Sequence, residues 1–161
     1  MSSVPEGKSN APSSPGRRVY SASAPRARVA FVEVGELLGR EMAELDFRVL
    51  CGKKDLDRHI THPRVQKPGL AFAGYYEYIK EGRVQIVGQS ELAYLETVDR
   101  RERRKRFEKI VALPVPVFIV SKDLTPFPSL VELCRASSIP ILGSPAMTSV
   151  IIKRARYGTT P

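Results

Sequence analysis

The sequence has no tryptophan, only two cysteines and two histidines, and no apolar run long enough to span a bilayer. A transmembrane helix needs about 20 consecutive apolar residues, and runs such as Val115 to Val120 are far shorter. The N-terminus lacks the apolar segment of a signal peptide, so we expect a cytoplasmic protein. Cys51 and Cys134 each lie in an apolar stretch and are expected to be buried, reduced thiols. These shortages exclude a membrane span, a disulfide scaffold and a zinc module.

Composition and charge are those of a soluble globular protein. Of the 161 residues, 42% are apolar and 27% are charged, which is typical of one domain of ordinary size. A net charge of +9 is typical of proteins that bind nucleic acid. However, the excess of Lys and Arg is confined to residues 1–28, 100–106 and 153–156. Because the remainder of the chain is slightly acidic, the sequence disfavours nucleic acid as a partner.

The chain divides into an arm and a domain. Residues 1–27 are rich in Pro, Ser, Gly and Ala and contain few large apolar side chains. Such a segment cannot bury enough apolar surface to offset the entropy lost on ordering, which predicts a disordered arm. From residue 28 onward apolar side chains recur at regular spacings, and we predict one domain over residues 28–157.

The predicted elements of this domain alternate between strands and helices. An amphipathic helix near 33–45 is followed by a strand at 47–51, an extended piece around Ile60 and a structured loop at 66–74. Because strands separated by helical crossovers pair in parallel, this order predicts an α/β fold, a mostly parallel sheet with helices on both faces. The later predicted elements are strands at 83–88, 116–120 and 139–142, and helices from Ser90 to Leu95, over 100–111 after an Asp99 cap, from Pro128 or Ser129 to Ala136, and from about 145 to 156.

The sequence contains no motif for catalysis or metal binding. A phosphate-binding loop requires G-x-x-x-x-G-K-[ST], but Gly52-Lys53 is followed by Lys54 instead of Ser or Thr. His59 and His62 are too few for zinc, which takes three or four ligands, and surface histidines beside a strand end are the favoured interpretation. The sequence therefore predicts no catalytic residue, no metal site and no cofactor-binding residue.

Two segments have features of an interaction surface. Loop 66–74 combines two glycines and a proline with the tyrosines that follow it, as ligand-binding loops do, although packing explains such tyrosines equally well. The run RRERRKR at 100–106 favours a solvated helix face, and the alternative is a docking site for an acidic partner or for nucleic acid. The candidate interaction surface comprises Lys67, Pro68, Gly69, Gly74, Arg103 and Arg104.

Several segments in a fixed order resemble the N-terminal domain of HPr kinase/phosphorylase, a bacterial enzyme that phosphorylates and dephosphorylates a serine of the phosphocarrier protein HPr. The resemblance covers roughly residues 33–152, and ordered co-occurrence is more specific than any single segment. The matching segments are RHIT at 58–61, KPGL at 67–70, AGY at 73–75, RVQIVG at 83–88, EL at 91–92, PVFIVS at 116–121, IPIL at 139–142, SP at 144–145 and TS at 148–149.

The resemblance implies an N-terminal, non-catalytic domain of a regulator of carbohydrate metabolism and carbon catabolite control. In the family a P-loop kinase domain follows and uses ATP with magnesium, and we expect that domain to be absent from this chain. Partners implied by the resemblance are an HPr-like phosphocarrier and further copies of the family's oligomer. A truncated gene product, a fragment and a domain that lost its kinase all remain open. The alternative is a stand-alone regulatory module that senses a small molecule or docks on a protein.

Overall fold

The computed structural model describes residues 31–155, so the predicted arm at 1–27 and the end of the chain lie outside the described residues. Within that range no helix has the length and apolarity needed to cross a bilayer. In chain order the elements are β1 (Val32–Glu33), β2 (Arg48–Cys51), β3 (His59–Ile60), α1 (Gly69–Phe72), β4 (Gln85–Val87), α2 (Gln89–Glu96), α3 (Arg100–Val111), β5 (Phe118–Val120), α4 (Pro128–Ala136), β6 (Ile141–Gly143) and α5 (Thr148–Arg154), with short 3-10 helices at Val34–Leu38, Arg40–Leu45, Lys53–Asp55 and Tyr76–Tyr78.

The central sheet has four strands in the order β2-β6-β5-β4. Strands β4, β5 and β6 are parallel, and β2 joins β6 in the antiparallel direction. Helices α2 and α3 connect β4 to β5, and α4 connects β5 to β6, as a parallel sheet requires. A separate antiparallel pair joins β1 to β3. The α/β class and the mostly parallel sheet are therefore confirmed.

Apolar side chains of the sheet alternate between two cores. Val87, Phe118 and Val120 face the core formed with α1 to α4. Ile86 and Ile119 face the opposite core, which is closed by α5 and the 3-10 helices before β2. Because both faces are covered, the three parallel strands are buried along their whole length. The apolar sequences of β5 and β6 predict this burial, whereas β4 also buries the polar side chain of Gln85.

The segment 33–45 differs from its prediction as a single helix. It forms two short 3-10 helices separated by Gly39, whose backbone is extended with ψ of 177°. Hydrogen bonds to residues outside the segment fix the backbone at its start. The amide of Val34 donates to the Arg58 carbonyl at 2.9 Å, and the amide of Gly35 donates to the Leu56 carbonyl at 2.8 Å. Four of the five residues of the predicted apolar face are nevertheless buried, and the fifth, Leu38, is exposed; the buried four are Val34, Leu37, Met42 and Leu45.

Helix boundaries are correct for two helices and wrong for two others. Asp99 caps α3 as predicted, since its carboxylate accepts hydrogen bonds from the amides of Arg101 and Glu102. Helix α4 begins at Pro128, also as predicted. Helix α2 begins at Gln89 with Gly88 as its N-cap, whereas the sequence favours Ser90 as the N-cap. The last helix begins only at Thr148.

Candidate functional site

The carboxyl ends of the parallel strands meet at one edge of the sheet, where α/β proteins commonly bind ligands. Gly88, Ser121 and Ser144 follow β4, β5 and β6 directly, and both serines are fully buried. The hydroxyl of Ser144 donates to the Leu45 carbonyl at 2.6 Å. The hydroxyl of Ser121 lies 2.7 Å from that of Thr148. These contacts join the sheet edge to α5 and to the 3-10 helix that ends at Leu45.

Glu91 is a buried carboxylate at the same edge, with 6% of its surface exposed. Its Oε1 accepts a hydrogen bond from the amide of Gly88 at 2.8 Å, and its Oε2 lies 3.7 Å from the ammonium of Lys67. A Cβ at Gly88 would lie 2.7 Å from the Thr148 hydroxyl, so only glycine fits there without rearrangement. The cluster holds strand ends, α2 and the loop containing Lys67 together.

A second candidate site is the groove between the first turns of α3 and α4, with a volume of about 720 Å³. Arg103 is fixed there, because its guanidinium donates to the carbonyls of Leu95 and Val98 at 3.0 and 3.4 Å. The same guanidinium lies 4.2 Å above the centre of the Phe127 ring, a cation–π contact. The groove is lined by Asp99, Arg100, Arg101, Arg103, Arg104, Phe127, Pro128, Ser129 and Glu132.

Arg104 is held by two carboxylates. Its guanidinium lies 3.3 Å from both Glu132 on α4 and Glu108 on its own helix. The hydrogen bond that Arg104 donates to Glu132 is the main cause that raises the pKa of Arg104. Arg104 therefore bridges the two helices that form the groove.

The structure distributes the six residues of the predicted interaction surface over three places. Lys67 and Gly69 lie beside Glu91 at the sheet edge, with Pro68 at the start of α1 between them. Arg103 and Arg104 line the groove between α3 and α4. The remaining residue, Gly74, follows α1 with a φ of +110° and an open space where a Cβ would be. A role for these six residues in binding remains a prediction.

Phe127, which lines the groove, is absent from the sequence-based candidates. It immediately precedes Pro128 at the start of α4, so an aromatic residue before a helix-starting proline was the available signal. Thr148 occurs in the TS segment of the resemblance, but its contact with Ser121 could not be predicted, because it depends on the way α5 packs against the end of β5.

The two histidines occupy different surroundings. The His59 ring stacks on Phe31 at 3.8 Å between ring centres. The Nδ1 of His62 accepts a hydrogen bond from the amide of Arg64 at 3.1 Å. Desolvation, and then the charges of Arg83 and Arg64, lower the pKa of His62. Within residues 31–155, no three His, Cys, Asp or Glu side chains are grouped as metal ligands.

Both cysteines are buried free thiols, as the sequence predicts. Desolvation raises the pKa of Cys51 and, far more strongly, that of Cys134. A thiol becomes a nucleophile only when it is deprotonated. These two side chains therefore serve as small core residues.

The family model for the N terminus of HPr serine kinase matches residues 32–157. The chain belongs to the HPr serine kinase N-terminal family. This match covers nearly all of the described residues. It reaches further at both ends than residues 33–152, over which the resemblance was found. The family membership inferred from the ordered segments is confirmed.

Relatives of the HPr serine kinase N-terminal domain include an HPr kinase/phosphorylase from Geobacter sulfurreducens, which is 32% identical over 119 residues, or 74% of this chain and 37% of the relative. The HPr kinase/phosphorylase of Bacillus licheniformis is 31% identical over 113 residues, or 70% of this chain and 36% of the relative. A putative HPr kinase/phosphorylase 2 of Oceanobacillus iheyensis is 37% identical over 99 residues, or 62% of this chain and 32% of the relative. The chain therefore spans about a third of the length of these relatives.

Proposed function

We propose that this chain acts as a non-catalytic, regulatory domain of the HPr kinase/phosphorylase system, in the control of carbohydrate metabolism. The observation that carries the proposal is the match of residues 32–157 to the N terminus of that kinase family. The sequence of 161 residues contains no G-x-x-x-x-G-K-[ST] motif to hold the phosphates of ATP. We therefore propose no ATP, magnesium or other cofactor for this chain.

The chemistry of the described side chains supports a role other than catalysis. The hydroxyls of Ser121 and Thr148 contact each other beside Gly88. The nearest carboxylate oxygen there, Oε1 of Glu91, accepts a hydrogen bond from the Gly88 amide. The buried carboxylate of Glu91 is engaged by Gly88 and Lys67. A structural role in fixing the strand ends accounts for each of these contacts.

The proposed partners are an HPr-like phosphocarrier and a second copy of a family member, in a cytoplasmic setting. HPr is the protein named in the relatives, and it enters here because this chain shares their N-terminal family. The alternative, a stand-alone module that senses a small molecule or docks on a protein, is not favoured, because the match to the kinase's N terminus covers nearly all of the described residues.

The proposal is tested by titrating ¹⁵N-labelled HPr with the purified chain, together with light scattering of the chain alone. We expect saturable chemical-shift changes in HPr, or a mass by light scattering above that of one copy. A chain unfolded by heat serves as the control for non-specific effects. A monomer that leaves the HPr spectrum unchanged contradicts a regulatory role in this system.

A further inference from the structure

A second depression adjoins the groove between α3 and α4. It has a volume of about 420 Å³ and shares Phe127 and Pro128 with the first. We call the two together the α2–α4 groove. The residues that line the second half are Gln89, Leu92, Ala93 and Glu96 on α2, and Leu124, Thr125 and Pro126 before α4.

One half of the α2–α4 groove carries uncompensated positive charge. Within residues 31–155, the guanidinium groups of Arg100 and Arg101 have no carboxylate partner. Arg103 is bound by neutral carbonyl oxygens and an aromatic ring, so its charge is also unbalanced. Of the two carboxylates in this half, Asp99 caps α3 and Glu132 pairs with Arg104.

The other half is mainly apolar and elongated. Its α2 residues occur at positions i, i+3, i+4 and i+7, which lie on one face of a helix. From Gln89 to Glu96 that face runs for about 10 Å at 1.5 Å per residue. An extended peptide rises by about 3.3 Å per residue, so roughly three residues would fit along it. Leu92, Leu124 and Phe127 are partly exposed there.

We propose that the α2–α4 groove docks an extended segment of a partner protein, with acidic side chains at one end and apolar side chains at the other. The guanidinium groups of Arg100, Arg101 and Arg103 would receive the acidic end, since arginine pairs well with carboxylates. The face of α2 and Leu124 would receive the apolar end. This inference does not depend on HPr being a partner.

Nucleic acid fits the same groove less well. A phosphate backbone needs a series of available cations along its path, but Arg104 and Arg106 are already engaged by Glu132 and Glu102. The second half of the groove offers Glu96 and apolar side chains in place of cations. The groove therefore complements negative charge only in the half that Arg100, Arg101 and Arg103 line. A peptide that is acidic at one end and apolar at the other matches this arrangement.

The test uses two fluorescein-labelled hexapeptides, one with three acidic residues before Leu-Pro-Leu and one with the two halves exchanged. Binding is measured by fluorescence anisotropy at low salt. We expect saturable binding of at least one peptide, which weakens as salt increases because exposed charges are screened beyond about 10 Å at 0.1 M.

Charge reversal locates the binding site. The double variant Arg100→Glu/Arg101→Glu should weaken binding by about tenfold or more, because two attractive contacts become repulsive. Both side chains are exposed at the start of α3, where acidic residues stabilise a helix, so the variant should remain folded. Lys105→Glu is the matched control, because Lys105 is exposed on the same helix but does not line the groove. It should change the affinity by less than about twofold.

Four results would overturn the proposal. One is the absence of binding by both peptides at low salt. Another is an equal loss of affinity in Lys105→Glu and in the double variant, which would indicate a diffuse basic surface. The third is equally tight binding of a hexapeptide of acidic residues alone, which would remove the role of the apolar half. The fourth is displacement of the peptides by a single-stranded oligonucleotide at a lower concentration than by unlabelled peptide, which would make nucleic acid the better ligand.

Discussion

The hydroxyl of Ser121, at the end of β5, lies 2.7 Å from the hydroxyl of Thr148, the first residue of α5. Ser121 is fully buried, so its polar atom depends on a partner within the protein. Gly88, at the end of β4, leaves the space that the Thr148 hydroxyl occupies. The contact therefore connects the ends of β4 and β5 to the start of α5, and we infer that it stabilises this edge of the sheet.

Thr148→Val should destabilise the domain by about 1–3 kcal/mol, because it leaves the buried hydroxyl of Ser121 without that partner while keeping the side-chain shape. The measurement is urea unfolding followed by circular dichroism. Thr125→Val is the control, since Thr125 is exposed and has no side-chain hydrogen bond within residues 31–155. It should change the free energy of unfolding by less than about 0.5 kcal/mol. Equal effects in the two variants would refute the role of the contact.

Gly52→Ala should destabilise the domain more than Gly74→Ala does. Both glycines have a positive φ, +82° and +110°, so each substitution introduces backbone strain of about 1–2 kcal/mol. A Cβ at Gly52 would also lie 2.5 Å from the Cα of Pro140, a backbone atom that cannot move aside easily. At Gly74 nothing lies within 4 Å of that position. Thermal unfolding of both variants compares the two, and equal losses would show that the contact with Pro140 is unimportant.

His62 should titrate below the usual histidine range, which is near pH 6.5. Desolvation and the neighbouring cations Arg83 and Arg64 disfavour its protonated form, and its Nδ1 accepts a hydrogen bond from an amide. Because the folded-state pKa is lowered, the stability that His62 contributes is present above about pH 6.5 and is lost as the pH falls through the folded pKa. NMR titration of the two histidine rings measures this. A pKa of His62 at or above the usual value would contradict the prediction.

The strands and two of the helices could be predicted because their signals are local. The apolar runs around Ile119 and Leu142 specify strands that are buried on both faces whatever their neighbours are. Asp99 and Pro128 each mark a helix start through side-chain chemistry within one turn. In these places the information needed to form the element lies inside the element.

The segment 33–45 could not be predicted in the same way. Its apolar spacing fits a helix, but the amides of Val34 and Gly35 find acceptors around residues 56–58, and Gly39 interrupts the turns. The α2–α4 groove also escaped prediction, because the contact of Arg103 with Phe127 joins residues of different helices. The sequence did single out Arg103 and Arg104, since charge is visible without the fold. It did not indicate the apolar surface beside them.

The most direct test of the proposed non-catalytic role is a phosphoryl-transfer assay with the purified chain. HPr is incubated with the chain, ATP and magnesium, and serine-phosphorylated HPr is incubated with the chain and inorganic phosphate, and HPr phosphorylation is followed by mass spectrometry. Because the 161 residues include no phosphate-binding loop, we predict no change in either direction above a control without the chain. Turnover that increases in proportion to the concentration of the chain would contradict the account.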